Sequence, residues 1–237
     1  KPLRRAVVAL GVFDGMHFAH RHIITQAVNV ARKASVKSVV VTFWPHPQKE
    51  ESLYSLEHRL RLFEELGVNV CVVVRFSKHF SSMDPVDFIR KIVVEKIGAS
   101  QVFVGKNFRF GKNARGDWRL LKRLSTIYGF TARIFDVIRR NNKPVSSTQI
   151  RRLIIAGKLT QAQKLLLRPV SVLGTVIKGT ALGRLLGFPT ANLNPHHEIL
   201  PPMGIYAVRI RLGSRLLKGV CYIGKRPSFH VSHDLRS

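Results

Sequence analysis

Two histidines, His17 and His20, stand three residues apart in the stretch Gly11-Val-Phe-Asp-Gly-Met-His-Phe-Ala-His20, directly behind the apolar run Ala6–Leu10. On a helix that spacing puts both imidazoles on one face. A short apolar run ending in glycine, then polar residues and an amphipathic segment, reads as strand, tight turn and helix start. The unpaired N–H groups and positive dipole end of a helix N-terminus favour a phosphate. Two imidazoles there add a cradle for a negatively charged transition state, which points to nucleotide chemistry at the first strand–helix junction. Partly buried histidines also serve simply to satisfy local hydrogen bonds, and that alternative stands beside the catalytic one. Zinc fits less well, because His17, His20 and His22 have no cysteine nearby and no second ligand cluster.

The elements that must hold these residues are short and alternating. Ala6–Leu10, Ser38–Phe43, Val70–Val74, Gln101–Val104 and Thr131–Phe135 are β-branched or aromatic-rich runs bounded by turns, and read as strands. Between them lie helical patterns at Phe18–Ala34, with Ile23, Ala27, Val30 and Ala34 on one stripe, and at Leu56–Leu66. Pro85–Ile97 follows, with Asp84 as N-cap before a proline in the first turn. Strands alternating with helices imply an α/β fold with a parallel sheet covered on both faces. Ligands in such folds sit beyond the carboxyl ends of the strands. Gly11–His20, Thr42–Pro47 and Gly105–Gly111 each follow a strand, so these three loops are expected to meet at one edge.

Near Pro169 the pattern changes. After short helical segments at Thr148–Ala156 and Thr160–Leu167, the chain becomes glycine-punctuated and β-like. Val170–Lys178, Ile205–Leu212 and Arg215–Tyr222 alternate as strands, with Gly213-Ser214 as a hairpin turn. This implies two domains, residues 1–168 and a small, partial β-barrel over 169–237.

Composition narrows the class. At 237 residues the chain can bury a real core, and its 45% apolar content and mean hydropathy of +0.03 are those of a soluble globular protein. No apolar stretch approaches a membrane span. Cys71 and Cys221 form no CxxC, so a reducing, cytoplasmic setting fits best. The first residue is Lys1 rather than methionine, which implies a missing upstream portion, although no targeting segment is visible. The 40 Lys and Arg against 13 Asp and Glu give a net charge of +27, which attracts polyanions. The basic residues are dispersed and not interleaved with aromatics, so the charge reads as a field favouring anionic ligands, with nonspecific nucleic-acid binding as a side effect.

Four more motifs follow the first: Phe43-Trp-Pro-His-Pro47, Val104-Gly-Lys-Asn-Phe-Arg-Phe-Gly111, Val145-Ser-Ser-Thr-Gln-Ile-Arg151 and Gly187-Phe-Pro-Thr-Ala-Asn-Leu193. In this order the five resemble the bacterial bifunctional riboflavin kinase/FMN adenylyltransferases, or FAD synthetases, from about Arg5 to Phe229. The first motif also resembles the paired-histidine signature of nucleotidylyltransferases at large. The resemblance implies a Rossmann-like nucleotidylyltransferase domain that joins FMN and ATP into FAD and pyrophosphate with Mg²⁺. It assigns catalysis to His17, His20 and Arg151, and ATP binding to Gly11, Phe13, Asp14, Ser147 and Thr148. It puts Asn107, Phe43 and His46 on the flavin side, and gives Thr190 and Asn192 to the ATP and Mg²⁺ loop of a riboflavin kinase module. Ser146-Ser147-Thr148 also has the composition of a helix N-cap, and cap and phosphate site are compatible.

There are departures from the family pattern. Ala19 stands where the signature has glycine, which sets a Cβ where backbone approaches phosphate. Val12 replaces the common asparagine. Riboflavin kinase activity is expected to be absent from this chain, since only eight residues follow Phe229 and Asp234 is the one carboxylate beyond Glu198. A different class remains open: a basic nucleic-acid-binding protein on a decayed enzyme fold, favoured by the charge and by Ala19. A nucleotidylyltransferase with another acceptor is a third reading, against which the flavin-side loops and the appended β-segment argue.

Overall fold

A computed structural model describes residue 3 and residues 5–47, 52–140, 143–179, 182–185, 187–196 and 198–224. Strand β1 (Ala6–Leu10) has no side chain more than 1% exposed, as expected of a central strand covered on both faces. It pairs in parallel with β2 (Ser38–Trp44) on one side and β4 (Ala99–Gly105) on the other. β3 (Val70–Arg75) and β5 (Thr131–Phe135) complete a parallel sheet of order β3-β2-β1-β4-β5. The strand order reverses between β1 and β4, the place where sheets of this kind bind ligands beyond the carboxyl ends of their strands. Alternation along β1 divides the core. Val7 and Ala9 face one cluster, while Ala6, Val8 and Leu10 face the other.

Helix α1 (Phe18–Lys33) covers the first cluster with Ile23, Ile24, Ala27, Val28 and Ala31. This corrects the expected stripe: Val30 lies at its edge and Ala34 is exposed. Steps of four overshoot a 3.6-residue turn, so a buried face drifts back through i+3 positions. α2 (Leu56–Glu65) and the helices Ser147–Ile155 and Leu159–Leu166 pack on the same side. Asp84 caps the next expected helix by accepting from the Val86 N–H at 2.8 Å, with Pro85 in its first turn. That helix is not regular: from Phe88 to Lys96 it widens into π-type turns, with the Ile97 N–H reaching the carbonyl of Ile92. The sequence pattern did not show the helix Trp118–Tyr128, which contributes Leu121 and Leu124 to the second cluster, nor the single-turn helices Lys78–Ser81 and Leu182–Leu185.

The C-terminal part is antiparallel. Thr175–Ile177 pairs with Asn192–Asn194, and Gly204–Leu212 pairs with Arg215–Ile223 around a turn where Gly213 has φ of +58°. Of the expected strand Val170–Lys178, only Thr175–Ile177 is paired. Among the described residues these are two separate two-stranded ladders and not a closed barrel. The longer hairpin leaves Ile205 and Val220 about three-quarters exposed, at 76% and 75%. The last residues of the Ile223–Phe229 motif, from Lys225 on, and Asp234 lie outside the described residues.

Candidate active site

The loop leaving β1 is tightly made. Gly11 extends the ladder by donating to the Val41 carbonyl at 3.1 Å, and a Cβ there would lie 2.8 Å from the Phe13 ring. Phe13 and Met16, both buried, hold φ of 51° and 42°, a left-handed backbone that non-glycine residues adopt only where their surroundings enforce it. Asp14 is one enforcing group. Its Oδ1 accepts from the Leu53 N–H at 2.9 Å, and its Oδ2 lies 3.3 Å from the Arg151 guanidinium. Burial pushes the Asp14 carboxyl up, against the opposing pull of His46, the Leu53 N–H, Arg59 and Arg151.

His17 is the N-cap of α1, its Nδ1 accepting from the His20 N–H at 3.5 Å. The two imidazoles stack with centroids 3.7 Å apart, and the Phe13 ring meets His20 edge-on at 5.3 Å. Burial pushes His17 down to about 4. His20 is pushed well below the ordinary range, first by burial and then by the charges of His17 and Arg59. Both rings are therefore neutral near pH 7, and a neutral His17 that accepts at Nδ1 carries its proton on Nε2. Nδ1 of His20 is shut off from solvent without a hydrogen-bond partner.

The Ser146–Arg151 motif meets this loop from the other end of the domain. Ser146 is the cap, accepting from the Gln149 N–H at 3.2 Å. Ser147 turns instead to the first loop, where its Oγ accepts from the Gly15 N–H at 3.0 Å. A Cβ on Gly15 would lie 2.8 Å from that oxygen, so glycine is what permits the approach. Cap and loop contact thus fall to neighbouring serines. Thr148 is exposed and faces a cavity of about 490 Å³ on the flank of the helix, lined also by Ser146 and Arg152 and by neither histidine.

The flavin-side candidates separate. Asn107 is exposed on the turn after β4, its Oδ1 3.1 Å from where a Gly105 Cβ would stand. His46 is half-buried beside Asp14. Phe43, in contrast, is only 5% exposed, its ring set in a core cluster with Phe76, Phe80, Phe88 and Phe108. A strand-end aromatic next to four others gains more from burial than from an open wall. Half-buried Phe108 stacks on Phe43 at 6.4 Å and so ties the β4 loop to the end of β2. In the C-terminal part, Thr190 and Asn192 press against Gly183 and Gly179, where an added Cβ would collide with each side chain.

Two groups escaped the sequence reading. Arg59, on α2 and only 1% exposed, donates through Nη1 to the Val12 carbonyl at 2.8 Å and to Thr42 Oγ1 at 3.1 Å. Its Nη2 reaches the Phe43 carbonyl at 3.3 Å, and the guanidinium lies 5.3 Å from the Trp44 ring. The signal was present: Arg59 shares the i, i+3, i+4 face of Leu62 and Phe63. The second group joins Glu198 to α2. Its carboxylate accepts from the Ser55 N–H and Oγ at 3.0 and 2.7 Å, from His58 Nδ1 at 3.0 Å and from the Leu173 N–H at 2.9 Å. Burial pushes the Glu198 carboxyl up, but these bonds outweigh it and hold it below the usual range. Nothing near Glu198 in sequence announces its side-chain partners His58 and Ser55, which lie 140 and 143 residues away.

With this geometry in view, comparison with known proteins is decisive. A family model described as FAD synthetase matches residues 1–149, and one described as riboflavin kinase matches residues 166–236. The parallel sheet, its loop cluster and the first match define an FAD synthetase domain of nucleotidylyltransferase type. The bifunctional riboflavin kinase/FMN adenylyltransferase of Escherichia coli strain K12 is 33% identical over 235 residues, 96% of this chain and 75% of the relative. That of Bacillus subtilis strain 168 is 32% identical over 236 residues, 95% of this chain and 74% of the relative. The counterpart from Buchnera aphidicola subsp. Schizaphis graminum is 30% identical over 240 residues, 98% and 77% of the two chains. A crystal structure described as a macrolide-efflux protein from Streptococcus pneumoniae is similar too, with a TM-score of 0.81 and 28% identity, covering 97% of this chain and 77% of that one. The chain belongs to the bifunctional riboflavin kinase/FMN adenylyltransferase family. It carries a riboflavin kinase domain, so the expected absence of that activity does not follow, and the nucleic-acid-binding alternative gains no support. Among the described residues no helix is long and apolar enough to cross a membrane.

Proposed function

We propose that the chain is an FMN adenylyltransferase that makes FAD and pyrophosphate from FMN and ATP. An oxygen of the FMN phosphate attacks the α-phosphorus of ATP, a new P–O bond forms, and the bond to pyrophosphate breaks with its electron pair leaving on oxygen. Positioning and charge stabilisation carry such a reaction, since no covalent intermediate on the protein is needed. The observation that carries the reading is the stacked His17–His20 pair at the start of α1, joined to the Ser147–Arg151 segment through Gly15 and Asp14. A neutral His17 offers an Nε2–H to an α-phosphate oxygen at no cost of deprotonation. Arg151 supplies the positive charge, and Asp14 holds it in place. Asn107 and His46 bound the acceptor side, while Phe43 supports that wall from behind.

The C-terminal part, taken from residue 169, fits the ATP-binding loop of a riboflavin kinase. Thr190 and Asn192, packed on glycines that leave room for nothing larger, offer oxygen ligands suited to Mg²⁺. Bound there, Mg²⁺ would neutralise the charge of the ATP phosphates.

Formation of FAD from FMN and ATP, followed by chromatography, tests the main reading. His17→Ala and His20→Ala are each expected to lower kcat by roughly 10²- to 10³-fold, the range for one lost donor to a developing oxyanion. Unchanged turnover in both variants would remove the histidines from the mechanism.

A further inference from the structure

Neighbouring residues on α2 face opposite ways. His58 turns to the C-terminal part of the chain, and Arg59 turns under the nucleotide loops. The three oxygens that Arg59 holds belong to Val12, Thr42 and Phe43, the residues just before the Phe13–His20 and Trp44–Pro47 loops. We propose that Arg59 is a positioning residue for adenylyl transfer, fixing these two loops in one relation, and that Glu198 sets its place from the C-terminal part through the first turn of α2. The proposal rests on the FMN adenylyltransferase reading above.

A direct catalytic role does not fit Arg59. Both terminal nitrogens are engaged by protein oxygens, so neither is turned to a phosphate. A simple packing role would not need a charge, and burying one is costly unless its donors are matched. The planar fork gives its two terminal nitrogens three acceptors on two segments, the exit of β1 and the end of β2, with Nε left unpartnered, and a lysine ammonium cannot reach all three from one point. The link to Glu198 is continuous in hydrogen bonds. Glu198 accepts from the N–H and hydroxyl of Ser55, the N-cap of α2, and the Ser55 carbonyl accepts from the Arg59 N–H at 3.1 Å. A carboxylate at a helix N-terminus is also favoured by the helix dipole. The far side of the clasp is built as firmly: His58 Nε2 meets Ser171 Oγ at 3.2 Å, and that oxygen also takes a bond from Arg168 at 2.9 Å.

The test uses the full chain with Arg59→Lys, Arg59→Met, Glu198→Gln and the double variant Arg59→Lys/Glu198→Gln. Thermal melts first establish which variants are folded, and Arg59→Lys keeps the experiment open if Arg59→Met is not. Misplaced reacting groups cost rate more than ground-state binding. Arg59→Lys is therefore expected to lower kcat about 10- to 100-fold, with KM for ATP moving by no more than about threefold. Amide exchange across residues 11–16 and 42–46 is expected to quicken in Arg59→Lys and Glu198→Gln, while β4 exchanges as in the unaltered protein. The double variant is expected to lose no more than the worse single one, because both act on one clamp. Native exchange in both loops of a folded Arg59→Lys protein, or a kcat within about twofold, overturns the proposal. Fully additive losses overturn the part assigned to Glu198. If the unaltered chain makes no FAD, the functional reading fails by itself, and the exchange measurement still decides the clamp.

Discussion

His17 refuses a proton that the unfolded chain would accept, and this ties the fold to acidity. Its folded value of about 4 lies below the ordinary 6.5, with burial as the cause. Between those values the unfolded state binds more protons, so stability must rise with pH through that window and fall as pH drops through it. From this residue alone the loss by pH 4 is roughly 3 kcal/mol. His20 acts in the same direction. Urea melts at pH 7.5 and pH 5 are expected to show a smaller pH dependence for His17→Gln than for the unaltered protein. Comparing the two proteins also sets aside Asp14, whose raised carboxyl titrates with the opposite sign. Equal pH dependence would mean that the ring is hydrated in solution. Of the candidate residues, the His17–His20 pair was legible from its spacing at a helix start, and Ser147 and Arg151 through the family resemblance of their motif. Arg59 was not, since a charged residue on a helix is ordinarily solvated and only its neighbours Leu62 and Phe63 betray its face.

Among the elements, the five strands were readable because each is a short run of residues that suit a pleated, covered surface. β1 and β5 have the expected bounds, and the others differ by a residue or two at the ends. The helix Trp118–Tyr128 was overlooked although its signals are orthodox. Asp117 accepts from the Arg119 and Leu120 N–H groups, each at 3.0 Å, and Gly129 ends the helix at φ of +71°. Its start is masked by the loop motif that precedes it, where Lys112, Arg115 and Gly116 read as irregular chain. Asp117→Ala is expected to cost about 1 kcal/mol, a fall of about 2–4 °C in Tm for a domain of this size. Asp117→Asn should lose less, because its side-chain oxygen still caps while only the exposed pairs with Arg109 and Arg119 go. Equal losses in both variants would shift the weight from the cap to the charge. The π-type widening from Phe88 to Lys96 had no counterpart in the pattern, because an extra residue in a turn leaves the apolar content unchanged.

At the scale of the whole molecule, the stretches matched by the two family models are joined by a buried contact that crosses from one to the other, and the order of motifs does not announce it. A pairing between Glu198 and His58 depends on how the chain returns, which no local pattern encodes. The long hairpin has a different consequence. Its strands Gly204–Leu212 and Arg215–Ile223 bond only to each other among the described residues, leaving backbone donors and acceptors along both outer edges. Such edges recruit other chains, and natural proteins guard them with like charge. Here Arg209 lies opposite Lys218, and Arg211 stands two pairs further along, on a chain whose net charge is +27. Colloidal stability then depends on ionic strength. The range of that repulsion shrinks from about 30 Å at 0.01 M salt to about 3 Å at 1 M. Light scattering of a concentrated solution is expected to climb as sodium chloride is added, and Val220→Lys on the hairpin to delay the rise. Scattering that stays flat across the salt series would mean that these edges are already covered in solution.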